Sequence, residues 1–192
     1  MTEPCTLSAV TKKYLCCFYE ILDKMITGMT EPTLTDSISH NFIVQMIPHH
    51  QAAIEMSHNL LQYTTFVPLQ NIALHIIESQ TKSIEHMKQA LDICSELQNT
   101  EQELCLYERY FHQITQSMFF EMETARSGNG IDANFIREMI PHHKGAIRMS
   151  ENALRFPICQ TLKPILQEII TSQRQGVRQM ESLLHCLCSS RG

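Results

Sequence analysis

The chain has 192 residues, of which 43% are hydrophobic and 18% charged, and its formal net charge is -5. That length fits one large domain or two small ones, and the balance is that of a soluble globular chain with a sizeable core. The acidic balance, with no basic run, gives no footing for nucleic acid, and no stretch of about 18 apolar residues is present to span a membrane.

The scarcity of glycine (6) and proline (7) favours helices. The start, MTEPCTLSAVTKKYLCCFYE, has no basic segment followed by an apolar run, so it does not read as a signal peptide. The expected compartment is the cytoplasm. Eight cysteines stand at 5, 16, 17, 94, 105, 159, 186 and 188. In a reducing compartment they are expected as thiols. Cys16-Cys17 and Cys186-Leu187-Cys188 lack the CxxC spacing of zinc sites. The expectation is that they act as small hydrophobes.

Residues 1 to about 8 read as a loose leader. From about Ser8 to Gly28, Tyr14, Phe18, Ile21 and Met25 follow the 4-3-4 spacing of one helical face. Thr27 to Ser39 carries Gly28 and Pro32 and reads as a loop. Asp36 or Ser39 is expected to cap the next helix.

That second helix runs to about Leu61 and has one stripe of Phe42, Met46, His49, Ala53, Met56 and Leu60. Ile43, Ile47, His50, Ile54 and Leu61 lie beside it. Pro48 sits inside the run. It cannot donate to the Val44 carbonyl and its ring crowds that group. The sequence therefore predicts a bend one turn before the histidines, or a local change of pitch.

Gln62 to Val67 is a short break, and Pro68 suits a first helical turn. A third helix reaches about Leu97, with Ile72, Ala73, Ile76, Ile77, Gln80, Ile84, Met87 and Leu91 inward. A buried Gln80 needs a partner.

The segment Asn41 to Met56 then returns at Asn134 to Met149, shifted by 93 residues without a gap, and 14 of the 21 positions from Asn41 to Leu61 are identical. The shift extends outward. Tyr14, Phe18, Ile21 and Met25 align with Tyr107, Phe111, Ile114 and Met118. Ser127 to Gly130 forms the second loop, with Asp132 as the expected cap. Gln80, Ile84 and Met87 align with Gln173, Val177 and Met180, and the two glutamines are expected to hydrogen-bond across the core. The chain is thus all-α, six helices in two tandem three-helix repeats, 8–98 and 100–189. A three-helix unit of this size buries little by itself, so the repeats are expected to share one core with pseudo-twofold packing.

Two copies in one chain show which residues both have kept. Apart from Met1 there are ten methionines, and they form five pairs: Met25 with Met118, Met29 with Met122, Met46 with Met139, Met56 with Met149, Met87 with Met180. Ordinary core positions vary. Ile84 aligns with Val177, Ala73 with Leu166, and Leu60 with Ala153. Methionine is replaceable where it only fills space, so the retention points to the thioether sulfur. Of the ten histidines only His49/His142 and His50/His143 are paired. His40, His58, His75, His86, His112 and His185 read as surface or incidental residues. No cysteine aligns with another.

Thioether and neutral imidazole together suit a soft or borderline metal, above all Cu(I), with silver as its surrogate. Met46, His49 and Met56 share a helical face. Met25 and Met29 supply a second helix and Met87 a third, and such ligands can converge in each unit. His49 and His50 lie about 100° apart around the helix. His49 is the expected interior ligand. His50 has three open roles: reaching the metal from the flank, facing the other repeat, or sitting at an entrance. The candidate metal set is therefore Met25, Met29, Met46, His49, His50, Met56, Met87, Met118, Met122, Met139, His142, His143, Met149 and Met180.

At Phe-x3-Met-Ile-Pro-His-His-x2-Ala-Ile-x-Met the sequence resembles the domain of unknown function 305 family. The resemblance covers nearly the whole chain. Its Met-x3-Met helix, Met-x2-His-His helix and Gln helix with a Met seven residues on stand here twice. It implies a ferritin-like helical bundle and, through members linked to copper tolerance, a copper ligand. Many relatives are exported or membrane-anchored, and many carry acidic residues where this chain has His75, Ser83 and Gly176.

Three readings follow. One is a soft-metal binding protein for buffering, transfer or tolerance, with a homo-oligomer or a metal-transfer partner left open. The second is a ferritin-like redox metalloenzyme. Against it, Met46 and Met139 stand where Glu-x-x-His would put Glu, and no HExxH, phosphate loop or nucleophile elbow is present. The third is a structural or interaction module whose methionines are only packing.

Overall fold

Several of the helices begin at a side chain that accepts from their unpaired amides. The computed structural model describes residues 6–189, with side chains through Leu187. Cys5, the Cys188 side chain and residues 1–5 of the expected leader lie outside the described residues. Helix α1 (Ala9–Thr30) is capped by Ser8, whose Oγ accepts from Thr11 N at 3.1 Å. Helix α2 (Ile38–Leu61) is capped by Ser37, not by Asp36 or Ser39. Helix α3 (Val67–Cys94) has Pro68 in its first turn and stops short of Leu97. Helix α4 (Glu101–Glu123) opens with a Thr100–Glu103 capping box. Helix α5 (Ile131–Ala153) starts at Gly130 without a side-chain cap. Asp132 lies in its first turn, where a negative charge suits the helix dipole, but it is not the cap. Helix α6 spans Leu162–Ser189. The described residues contain no strand.

Both α2 and α5 remain α-helical through Pro48 and Pro141, and no segment of tighter or wider pitch interrupts them. Gly28 lies against Pro48. A Cβ on Gly28 would lie 2.7 Å from Pro48 Cβ, so α1 rests directly on the proline ring.

Helix α2 packs against α1 and α3, and α5 against α4 and α6. The two sets join through α2 on α5 and α3 on α6. One buried cluster draws on all six helices. Matching hydrogen bonds record the duplication. Asn59 Nδ2 donates to Tyr14 O, and Asn152 Nδ2 to Tyr107 O, both at 3.1 Å. Asn41 Oδ1 accepts from Thr35 N at 2.8 Å, and Asn134 Oδ1 from Gly128 N at 2.9 Å.

The connection between the sets is pinned at Asn99. Its N donates to Asp36 O (2.8 Å), its Oδ1 accepts from Ile38 N (2.9 Å), and its Nδ2 donates to Pro157 O (2.9 Å).

Two tyrosines cross between the repeats. Tyr14 OH donates to Glu138 Oε2 at 2.6 Å, and Tyr107 OH to Gln45 Oε1 at 3.3 Å. Glu138 is 3% exposed, and burial pushes its carboxyl up to about 7, against the Tyr14 hydrogen bond, which lowers it. Burial and the neighbouring carboxylate raise Tyr14 well above its ordinary value. A carboxyl raised from 4.5 to about 7 costs the folded state nothing below 4.5 and costs progressively more up to 7. Glu138→Gln copies the arrangement at Gln45 and removes that cost. Melting curves of the two proteins should coincide near pH 4.5 and separate as pH rises to 7. The variant should end more stable by on the order of 3 kcal/mol. A variant that follows the parent throughout would show that Glu138 is not held protonated.

Candidate metal centre

Consecutive helical residues leave the axis about 100° apart, so each His-His pair divides between two directions. His49 and His142 turn toward each other across the α2–α5 contact. Their rings stack with centroids 3.7 Å apart and planes inclined at 28°. His142 Nε2 lies 3.1 Å from His49 O. His50 and His143 turn instead toward the seam of α3 and α6. His50 lines a cavity of about 30 Å³ with Ser79, Gln80, Ser83, Ser172 and Gln173. His143 lines one of about 10 Å³ with Ser79, Gln80, Ser172, Gln173 and Gly176. The repeat shift exchanges the two cavities. Ser83 and Glu168 stand in one where Gly176 and His75 stand in the other.

Gly176 is needed for this fit. A Cβ there would lie 2.9 Å from His143 Cδ2 and 3.0 Å from His143 Nε2, with the Met180 methyl 4.0 Å away. His143 and Met180 thus both rest on one spot of the α6 backbone. Met118 Sδ occupies the corresponding notch at Gly145, three residues after His142. All ten paired methionines are at most 1% exposed and belong to the same core as the histidines' neighbours.

All four histidines are at most 2% exposed. Burial is the main cause that holds His50 down to about 3 and His142 to about 4, and it holds His49 and His143 well below the ordinary value. The neighbouring imidazoles add to the effect at His49, His50 and His143. At neutral pH all four are uncharged, the form that ligates metal. Several of their nitrogens have no hydrogen-bond partner: His49 Nδ1 and Nε2, and Nδ1 of His50, His142 and His143. Buried polar atoms are seldom left so. Gln80 Nε2 and Oε1, Gln173 Oε1 and Ser83 Oγ share this condition. The expected Gln80–Gln173 hydrogen bond is therefore absent. Both amides border the small cavities and leave each other unpaired.

The histidines of the two units meet one another, where the sequence suggested a cluster inside each unit. His49 and His142 are the innermost pair, and His50 and His143 lie toward the α3–α6 seam. Among the described residues, no three or more His, Cys, Asp or Glu side chains converge as a ready-made metal site. Imidazole by itself thus does not complete one. Neutral nitrogens set in a core of neutral thioethers do fit a soft or borderline metal. His58, His75, His112 and His185 are exposed, and His40 and His86 are half-buried. His86 lies 3.9 Å from Glu168. Sequence reasoning named Ser83 only as a departure from the family pattern, and it missed Ser79, Ser172 and the Tyr14–Glu138 pair. The identity of Tyr14 and Tyr107 was the available signal.

A family model described as Domain of unknown function (DUF305) matches residues 23–91 and 39–184. The chain belongs to the DUF305 family. Two solved structures share its fold. A DUF305 fragment from Deinococcus radiodurans is 22% identical, with a TM-score of 0.57, over 80% of this chain and 99% of the fragment. CopM in the Cu(II)-bound form is 25% identical, with a TM-score of 0.59, over 78% of this chain and 97% of CopM. No functionally curated protein matches. No helix among the described residues of this DUF305 chain is long and apolar enough to cross a membrane.

The buried imidazoles set a pH dependence. Their folded pKa values lie below the unfolded value of 6.5, so the unfolded chain binds more protons below 6.5. Stability is complete above about 6.5 and is lost as pH falls toward 4 and then 3. Glu138 acts oppositely between 7 and 4.5, but it is one group against four. Urea midpoints measured at descending pH should fall steeply below 6.5, with uptake of more than one proton on unfolding. A flat profile down to pH 4 would contradict this account of the histidines.

Proposed function

We propose that this protein binds copper at the junction of its two repeats, for buffering, transfer or tolerance. One observation carries the reading: four buried, neutral imidazoles with unpartnered nitrogens, His49 stacked on His142 with His50 and His143 toward the α3–α6 seam, lie in a core that holds all ten paired methionines. The likeness to CopM in the Cu(II)-bound form supports the choice of metal. The proposed donors are the nitrogens of His49, His50, His142 and His143. With them go the sulfurs of Met25, Met29, Met46, Met56 and Met87, and of Met118, Met122, Met139, Met149 and Met180. Thioethers favour Cu(I), with silver as its surrogate, and imidazole accepts copper in both oxidation states.

In this reading the repeats, 8–98 and 100–189, work as one unit, because their central histidines touch. Cys16, Cys17, Cys94, Cys105 and Cys159 are free thiols, which fits a reducing compartment. Binding is favoured over turnover. Carboxylate di-metal centres draw inward Glu from several helices. Among the described residues Glu138 is the one buried acidic side chain, and it is held by Tyr14.

The test is a Cu(I) titration against a competing chelator, with the accessible thiols alkylated beforehand. The parent is compared with a variant carrying Met46→Leu, His49→Gln, Met139→Leu and His142→Gln. Affinity should fall by roughly a hundredfold or more, while the helical spectrum is kept. Equal affinity in both proteins, or weak binding in both, would sink the proposal.

A further inference from the structure

The small cavities beside His50 and His143 adjoin a surface groove. The groove, of about 630 Å³, runs between α3 and α6. Ile72, His75 and Gln179 line both the groove and the cavity of His143. That cavity in turn shares Ser79, Gln80, Ser172 and Gln173 with the cavity of His50. Three spaces thus stand in a row along the α3–α6 seam, each sharing a wall with the next.

Helix α3 carries a polar file along this row. Residues 75, 79 and 83 recur at intervals of four, so they lie above one another on one helical face. His75 borders the groove and the first cavity, Ser79 both cavities, and Ser83 the farther one. Ser79 Oγ donates to His75 O at 2.7 Å, which joins the outer and middle steps. His75 is exposed at the outer end. Gln80 at the inner end is 2% exposed, and neither of its polar atoms has a partner.

The two ends of the row differ. The repeat places Glu168 where His75 stands. The Glu168 carboxylate lies 3.9 Å from Lys82 Nζ and 3.9 Å from His86 Nδ1, so charged groups span the seam at that end. At the His75 end the aligned partners are the uncharged Gln175 and Gln179, and both line the open groove. Among the described residues Arg178 is the one charged side chain on its wall. The groove therefore offers no carboxylate to a hard cation such as Mg²⁺ or Ca²⁺, whereas imidazole suits copper.

We propose that copper enters the histidine core along the α3–α6 seam from the groove, with the His75 imidazole as its first ligand; this rests on the copper reading above. His75 takes the ion from solution or from a donor complex and passes it inward by ligand exchange to His143, without change of oxidation state. Gln80 and the serines give the passage a polar wall where the surrounding core is apolar. Sequence comparison set His75 aside because no histidine aligns with it. A passage needs only one mouth, so its entry residue has no reason to occur twice.

The test follows loading of the full metal-free chain with its accessible thiols alkylated. Cu(I) is supplied as its coloured bicinchoninate complex, and loss of colour reports transfer. In His75→Gln, loading and release to excess chelator should both slow by about tenfold. A donor on the path serves both directions, so the ratio of the two rates is kept. His75→Met restores a soft donor and should recover most of the rate, which a purely structural role would not produce. Glu168→Gln should load as the parent does. Metal-free melting curves report whether each variant folds. Loading of His75→Gln at the parent's rate overturns the entry route and leaves the copper site standing, as does slowing confined to Glu168→Gln. A parent that takes up no copper overturns the entry route together with the reading it rests on.

Discussion

The structure turns on one requirement: α2 and α5 must face each other with two consecutive histidines on each. Side chains of that size at a helix crossing normally hold the axes apart. Here the residues three and four positions beyond His49 and His142 are small. Ala52 and Ala53 follow one pair, Gly145 and Ala146 the other, and all four are buried. They leave room for His49 and His142 to stack and for Met118 to rest on the α5 backbone. Burial then dictates charge. An imidazolium in this core would meet three other imidazoles and no carboxylate that is free of a partner, so the neutral form prevails. Helices α3 and α6 close the arrangement from outside, with Gly176 cut away where His143 arrives.

Much of this was legible in the chain. The six helices followed from strong periodicity, and the shared core from the size of each repeat. The five methionine pairs and the two histidine pairs stood out because ordinary core positions had drifted. Other features were not legible, for physical reasons. Asp36, Ser37 and Ser39 are all competent caps, and only the path of the chain selects Ser37. Helical spacing gives the face a histidine occupies but not what covers that face, so the meeting of His49 with His142 could not be read from either helix. Gln80 and Gln173 were rightly placed inside. Whether they reach each other depends on how α3 crosses α6, and they do not.

Where the copies differ, the differences collect at polar positions inside an otherwise repeated frame. Tyr14 meets a carboxyl where Tyr107 meets an amide. Ser83 stands where Gly176 makes room for a ring, and Glu168 where His75 borders the opposite cavity. Apolar pairs are needed twice to hold the two halves alike. Polar groups are free to diverge, because one copy of each is enough to set a proton affinity. Comparison by identity therefore finds the frame and passes over Glu138.

The burial that makes the histidines neutral also shapes what copper would find here. An exposed imidazole near its ordinary pKa must release a proton to ligate, so its affinity rises with pH through the neutral range. These four have given up their protons on folding, and thioethers carry none. Copper uptake under the proposed reading is then insensitive to pH above about 6.5. Below that value the proton competes for the same nitrogens and simultaneously weakens the fold that presents them. Site and scaffold fail together in acid, because one set of buried imidazoles determines both.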